Sequence, residues 1–183
     1  MAVHPAVLGR FFEDYVVGDV YQHPLGRTVS QADNTWITLL SMNTNQNHFN
    51  AHLAAQNPIT EGRVIVNSGF TVAVILGISV LDMSQNAISN LAFTDIKMSH
   101  PVYEGDTLYA ESICTGLRLS ESRPYAGIVS MITRGLNQDG VEVISWKRSV
   151  MVATRESGIG QNYFPEAQSG PLQLPSDTKG DAR

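Results

Sequence analysis

What this chain lacks narrows it first. Cys114 is its single cysteine, so no disulfide closes within the chain, no thiolate cluster holds a metal, and a reducing, cytoplasmic setting is expected. Only 16% of the residues are charged and the formal balance is −5, with no cluster of Lys or Arg. That excludes the counterion-release binding on which general nucleic-acid and anionic-membrane partners depend. No basic segment followed by an apolar core opens the chain, so MAVHPAVLGRFFEDY reads as no secretory signal. No internal repeat is evident. At 183 residues and 43% hydrophobic, the sequence fits one domain with a full core.

What is there centres on Val64 to Leu81 (VIVNSGFTVAVILGISVL), the longest apolar run. Asn67, Ser68, Thr71 and Ser79 interrupt it and no cations flank it, which argues against a membrane span. Its apolar positions fall on every side of a helix, the mark of an element enclosed on all faces. Asn67 and Ser68 supply capping side chains, so the run predicts a nearly inaccessible helix from Ser68 to Leu81, ~20 Å long. A pair of buried strands is the competing reading, and length favours the helix.

Before this run, residues 1–9 form a lead-in. Asp19 to Val29 reads as a strand bent at Pro24–Gly26, and Ser30 opens a helix that ends near Ser41. Met42 to Asn57 holds five asparagines and two histidines, an amide-rich loop with helical turns at Ala51 to Ala55. After Leu81 the pattern changes to period two. Four strands are expected at Ile88–Ser99, Thr107–Leu119, Gly127–Leu136 and Val141–Ala153, with Gln138-Asp139-Gly140 as the clearest hairpin turn. In the second of these, Leu108, Ala110, Ser112, Cys114 and Gly116 form a mostly small face that lets a helix approach closely. Helices early and strands late predict an α+β domain over residues 10–153 with an antiparallel sheet of about five strands. Residues 154–183, rich in Gly, Pro, Ser and Gln, predict a disordered or draped tail.

An apolar helix wrapped by such a sheet is the layout of the hotdog fold, and over about residues 10–153 the chain resembles the MaoC-like, or R-specific, enoyl-CoA hydratase family. Met42-Asn43-Thr44-Asn45-Gln46-Asn47-His48 occupies the place of that family's Gly-Asp-x-Asn-Pro-x-His motif. Gly62-Arg63-Val64-Ile65-Val66-Asn67-Ser68 stands where the family has Gly-Arg-Pro-x-x-His-Gly. Pro101-Val102-Tyr103-Glu104-Gly105-Asp106 matches its Pro-Val-x-x-Gly-Asp. The Asn-Thr-x-x-x-His variant resembles a subgroup acting on short branched or dicarboxylic acyl-CoA esters of the mesaconyl, methylmalyl or itaconyl kind.

The resemblance implies a hydratase or dehydratase working across the 2,3 bond of an acyl-CoA thioester, with no cofactor and CoA arriving in the substrate. It implies a homodimer or a higher assembly of dimers. Hydration needs a base for water, a proton donor for Cα and hydrogen-bond donors for the enolate-like oxygen. His48 keeps the family's catalytic place, while Asn43 stands where the family has Asp. An amide does not accept a proton at neutral pH, so Asn43 is expected to position water through its carbonyl, with Asp33, Glu61 or Asp95 as candidate carboxylates. Unpaired N–H groups at the start of the long helix make Ser68 and Gly69 the expected oxyanion donors, with Asn45, Arg63 and Asn67 as further substrate-binding residues. Ordinary capping explains Asn67, Ser68 and Gly69 equally well.

His48 and His52 share a spacing that suits zinc, but no third ligand accompanies them, and no metal site is expected. Arg63, Arg118, Arg123 and the Lys147-Arg148 pair are the cations available to CoA phosphates; otherwise they read as solvated charges. Two other functions compete. A hotdog thioesterase places an acid on the central helix, which here has none before Asp82. A non-catalytic acyl-CoA-binding module is supported by Asn43.

Overall fold

In the computed structural model, which describes residues 9–159 and 164–173, the long helix lies against an antiparallel sheet. Short strands β1 (Val20–Gln22) and β2 (Arg27–Thr28) come first, then helix α1 (Gln31–Leu40), the single turn α2 (Ala51–Ala54) and the long helix α3 (Ser68–Met83). Four long strands follow, β3 (Ala87–Met98), β4 (Thr107–Leu119), β5 (Ala126–Leu136) and β6 (Glu142–Ala153). The order across the sheet is β1-β4-β5-β6-β3, and β2 also pairs with β4. The expected bent strand is thus two pieces lying along β4 in succession, Tyr21 opposite Ser112 and Arg27 opposite Leu108. Counting both pieces, the sheet has six strands rather than about five.

Local chemistry explains where the elements start. Ser30 Oγ accepts the Asp33 N–H at 3.2 Å and Asp33 Oδ2 accepts the Ser30 N–H at 3.0 Å, a reciprocal cap that opens α1. Asn67 Oδ1 accepts the Gly69 N–H at 2.9 Å and opens α3. At the β5–β6 hairpin Asn137 Oδ1 accepts from both Asp139 N and Val141 N, and Gly140 takes the left-handed φ of 76° that the turn requires.

The core forms where α3 meets the sheet. Ile75 and Ile78 pack with Leu108 and Ala110 of β4 and with Val143, Ile144 and Trp146 of β6. The small face of β4 is buried from Leu108 through Cys114, and a register shift after Cys114 brings Gly116 partly out. On β5, a Cβ at Gly135 would stand 2.6 Å from Ile75 Cδ1, so the absence of a side chain there sets how closely helix and strand approach.

One expectation about burial is corrected, and the facing of α1 is a further finding. Helix α3 is not inaccessible: Ser68, Gly69, Ala73, Gly77 and Leu81 are exposed, because the sheet of one copy covers one side of the helix and leaves this stripe uncovered. Helix α1 buries Asn34 and Thr38, whereas Trp36, Leu39 and Leu40 are 69%, 67% and 73% exposed. Its polar side faces inward because loop carbonyls there need donors.

At the far end of α3 a largely buried polar chain runs from Asp82 to the sheet. Asp82 Oδ2 meets His23 Nδ1 at 3.0 Å, His23 Nε2 meets Ser112 Oγ at 3.0 Å, and Ser112 Oγ meets Thr133 Oγ1 at 2.8 Å. Burial holds the His23 pKa below its ordinary 6.5 even though Asp82 favours the imidazolium. Among the described residues no helix is long and apolar enough to cross a membrane.

Apart from Gly9, the expected lead-in lies outside the described residues. Of the expected tail, residues 164–173 are exposed, but Thr154 is fixed to the Tyr125 carbonyl and Arg155 to Glu13 and Asp14. Order therefore continues past Ala153, because Arg155 finds two carboxylates there. Residues 160–163 and 174–183 lie outside the described residues.

Candidate active site

The amide-rich loop is held by its own amides. Asn43 N–H donates to the Thr38 carbonyl at 3.0 Å, Asn43 Oδ1 accepts the Asn45 N–H at 2.9 Å, and Asn45 Oδ1 accepts the Asn47 N–H at 3.1 Å. Two successive Asx turns thus shape the backbone that leads to His48. One lone pair of Asn43 Oδ1 is engaged in this way, while its second lone pair and Nδ2–H₂ have no partner among the described residues.

Asn34 joins this loop to α3. It is fully buried, and its Nδ2 donates to the carbonyls of His48 (2.9 Å) and Ile65 (3.1 Å) and to Glu104 Oε1 (3.1 Å). Its Oδ1 accepts the Asn67 N–H at 2.9 Å. One side chain therefore fixes the height of His48, the strand-like segment at Ile65 and the residue that caps α3.

His48 Nδ1 lies 2.9 Å from the Ile65 carbonyl oxygen. A carbonyl only accepts, so Nδ1 carries the proton and Nε2 keeps its lone pair in the neutral ring. Among the described residues Nε2 has no hydrogen-bond partner. His48 is half-buried.

At the start of α3 the expected donors separate. The Gly69 N–H is capped by Asn67 Oδ1, and the Phe70 and Thr71 N–H groups reach the Asn67 carbonyl at 2.9 and 3.2 Å. This corrects the expectation for Gly69, whose donor is engaged within the cap. The Ser68 N–H and hydroxyl remain open among the described residues, and Ser68 lines a cleft of about 240 Å³ with Ile65, Thr71, Met98, His100 and Val143. Asn67 Nδ2 reaches Thr38 Oγ1 at 3.3 Å, so Asn67 organises the helix start from within.

None of the three candidate carboxylates reaches the loop histidine. Asp33 is engaged by Ser30 and Arg27, and hydrogen bonds from Ser30 hold it below the usual carboxylate range. Glu61 pairs with Arg63 at 2.8 Å and Asp95 with Lys147 at 2.7 Å. The carboxylate that does reach this region is Glu104, bound to the same Asn34 amide as the His48 carbonyl. Glu104 lies in the Pro101–Asp106 segment, which the sequence matched to the family motif without giving Glu104 a role, and His100 just precedes it; Asn34 looked like an ordinary polar residue of α1. Arg63 stacks on the Tyr103 ring at 3.5 Å, a short distance in sequence from this turn. His48 and His52 do not pair on a metal: His52 is bound to Gln56, and among the described residues no group of three His, Cys, Asp or Glu is placed to hold an ion.

The family model described as mesaconyl-CoA hydratase matches residues 4–168. A mesaconyl-CoA hydratase of Cereibacter sphaeroides is 36% identical over 149 residues, 81% of this chain and 43% of that protein. A beta-methylmalyl-CoA dehydratase of Chloroflexus aurantiacus is 30% identical over 152 residues, again 81% of this chain and 41% of the relative. The chain thus spans less than half the length of these relatives. A MaoC domain dehydratase structure from Chloroflexus aurantiacus superposes with a TM-score of 0.73 at 28% identity, covering 91% of this chain and 45% of the other. A Mycobacterium tuberculosis protein with a double hotdog fold superposes at 0.71 with 21% identity, 96% of this chain on 52% of that one. The family model spans most of the chain and the solved relatives share its fold: the chain has the hotdog fold and belongs to the MaoC-like mesaconyl-CoA hydratase family.

Proposed function

We propose that this chain is a hydro-lyase that adds water to, or removes it from, the 2,3 bond of an acyl-CoA thioester of the short branched dicarboxylic kind, such as mesaconyl- or methylmalyl-CoA. The observation that carries the reading is the His48 imidazole, whose Nδ1–H is fixed on the Ile65 carbonyl at 2.9 Å, so that Nε2 is its basic nitrogen. In the hydration direction Nε2 takes a proton from water as the water oxygen bonds to Cβ. The electron pair of the double bond moves onto the thioester oxygen, which the Ser68 N–H and hydroxyl hold. The imidazolium then returns its proton to Cα as the enolate collapses. Asn43 Nδ2–H steers the water, Asn45 shapes the loop, Asn67 and Gly69 fix the helix start, and Arg63 meets the CoA phosphates. No cofactor takes part, and CoA enters within the substrate.

The working unit in this proposal contains two hotdog domains, here two copies of the chain, in the cytoplasm. Strand β3 is a sheet edge twelve residues long on which Leu91, Ile96 and Met98 are 45%, 46% and 48% exposed. An open apolar edge of this kind invites strand pairing. Relatives of which the matched region covers 43% and 41% support the same count of domains.

A second reading, an acyl-CoA-binding module without turnover, rests on Asn43 in place of the family's Asp. An absorbance assay at the enoyl-thioester band, with mesaconyl-CoA and crotonyl-CoA, separates the two. His48→Ala is expected to lower turnover by ~10²–10⁴. Asn43→Asp is expected to raise the rate with simple enoyl esters or to shift substrate preference. If the wild-type chain binds the esters and turns none over while Asn43→Asp gains activity, the binding-module reading replaces the first. If His48→Ala turns over like the wild type, the role given to His48 is wrong.

A further inference from the structure

Arg148 is not the solvated cation that its place beside Lys147 suggested. It is 3% exposed and lies on the helix-facing side of β6, on the same face as the buried Trp146 and Val150. Its Nε and Nη2 both donate to Asn90 Oδ1, and the Phe93 ring centre is 5.3 Å from its guanidinium carbon. Nη1 has no hydrogen-bond partner, and among the described residues no Asp or Glu forms an ion pair with Arg148. Burial pushes its pKa down to about 10, which still leaves it charged at neutral pH. Two residues away on the same face, Trp146 Nε1 is a second buried donor without an acceptor.

A buried cation with an open donor and no counter-charge is costly unless something completes it. What adjoins it is an open cleft of about 360 Å³, lined by Leu76, Val80 and Ser84 at the end of α3, by Ala87, Ile88, Ser89 and Asn90 of β3, and by Arg148. Ligand pockets begin at about this size, and here four apolar side chains face a guanidinium, an amide and two hydroxyls.

We infer that Arg148 is the anion-holding group of a second ligand site, which takes the carboxylate of a small aliphatic carboxylic acid. One guanidinium balances one negative charge, whereas a phosphate dianion would leave a charge uncompensated against Leu76 and Val80. The apolar walls accept a short branched chain, and Nη1–H supplies the donor the carboxylate needs.

The site is separate from the His48 region. Its first helical wall, Leu76, stands seven residues beyond Gly69, ~10 Å along the axis. Its strand wall is the opening of β3, while the cleft at Ser68 takes Met98 from the strand's other end. Along β3, Asn90 at this site and Met98 at the Ser68 cleft are eight residues apart, ~26 Å of strand, whereas the carbons of a four-carbon diacid span ~4 Å end to end.

Calorimetric titration of the full chain with 3-methylbutanoate, and with 3-methylbutanamide as its neutral isostere, tests this. The acid is expected to bind saturably and the amide at least ~10-fold more weakly, with Arg148→Met also weakening the acid by ~10-fold or more. Should Arg148→Met fold poorly, Ser89→Asp, placed on the cavity lining, supplies a carboxylate from the chain itself; it should raise the melting temperature and abolish acid binding. The inference is overturned if the wild-type chain binds no acid, if the amide binds as tightly as the acid, or if Ser89→Asp leaves acid binding unchanged. Arg148→Met raising KM ~10-fold for mesaconyl-CoA but not for crotonyl-CoA would overturn the separation and place the substrate's own carboxylate on Arg148. Because the titration contains no thioester, its outcome does not depend on whether the chain is a hydratase.

Discussion

Replacing Asn34 with alanine deletes a side chain that is 0% exposed and meets four partners on three different segments. Its amide has two hydrogens facing three oxygens, and its carbonyl accepts from Asn67 N, so three full hydrogen bonds are lost. At ~0.5–1.5 kcal/mol each, that is ~1.5–4.5 kcal/mol, and the buried Asn67 N–H left without an acceptor adds ~1–3 kcal/mol. Ile65 O keeps its bond from His48 Nδ1, and alanine's better helix propensity returns ~0.5 kcal/mol. A net loss of ~2–7 kcal/mol follows. With a urea slope of ~2 kcal/mol/M, the unfolding midpoint should fall by ~1–3.5 M at unchanged slope. Buried Trp146 supplies the fluorescence probe, and protomer concentration is held fixed because association shifts apparent stability. Turnover should fall with little change in KM, since His48 loses its carbonyl anchor while the cleft at Ser68 keeps its lining. A midpoint shift below ~0.5 M, about 1 kcal/mol, would refute the assignment of Asn34 as the joint between loop and helix.

The polar chain at His23 predicts acid sensitivity. Its folded pKa lies below the ordinary 6.5, so its neutral form favours folding fully above that value, and the contribution is lost as pH falls through the folded pKa. Urea midpoints measured from pH 7.5 down to pH 5 should decline, and His23→Gln should flatten the decline; an identical slope in the variant would remove His23 from the explanation. Gly135→Ala places a methyl 2.6 Å from Ile75 Cδ1 and 2.8 Å from Ile144 Cγ2, both on fully buried side chains. It should cost ~2 kcal/mol by overpacking, a drop of ~4–8 °C by calorimetry, whereas a wild-type melting temperature would mean that α3 shifts freely. On the open edge of β3, Leu91→Lys should shift sedimentation toward the 20.0 kDa species, and an unaltered distribution would place the association elsewhere.

The long elements were legible because their causes are local. The Ser30–Asp33 cap, the apolar run after Asn67 and the Asn137–Gly140 turn are each written within a few residues, and α1, α3 and the β5–β6 hairpin begin and end where they dictate. The facing of α1 was not legible. Apolar Trp36, Leu39 and Leu40 have the spacing of a core face, yet Asn34 and Thr38 turn inward, since the acceptors they satisfy come from segments far along the chain. The same limit hid the detail of the site. A motif identified His48 and Asn43, but the tautomer of His48 depends on Ile65, seventeen residues later, and the engagement of Gly69 depends on how Asn67 caps the helix. Arg148 was misread because nothing adjacent in sequence reveals that a strand residue faces inward; alternation along β6 settles it once the sheet exists.

From Met42 to Asn57 the chain carries no Asp, Glu, Lys or Arg, and the turns leading to His48 are held by neutral dipoles at contact distance. Ionic strength acts on separated charges over a Debye length, ~8 Å at physiological salt, and has little hold on such contacts. The geometry around the imidazole is therefore insulated from the ionic medium. Under the proposed function, encounter with a polyanionic nucleotide thioester depends instead on exposed guanidinium groups such as Arg63, whose field salt does screen. Salt should slow the arrival of the ligand and leave the shape of its destination alone.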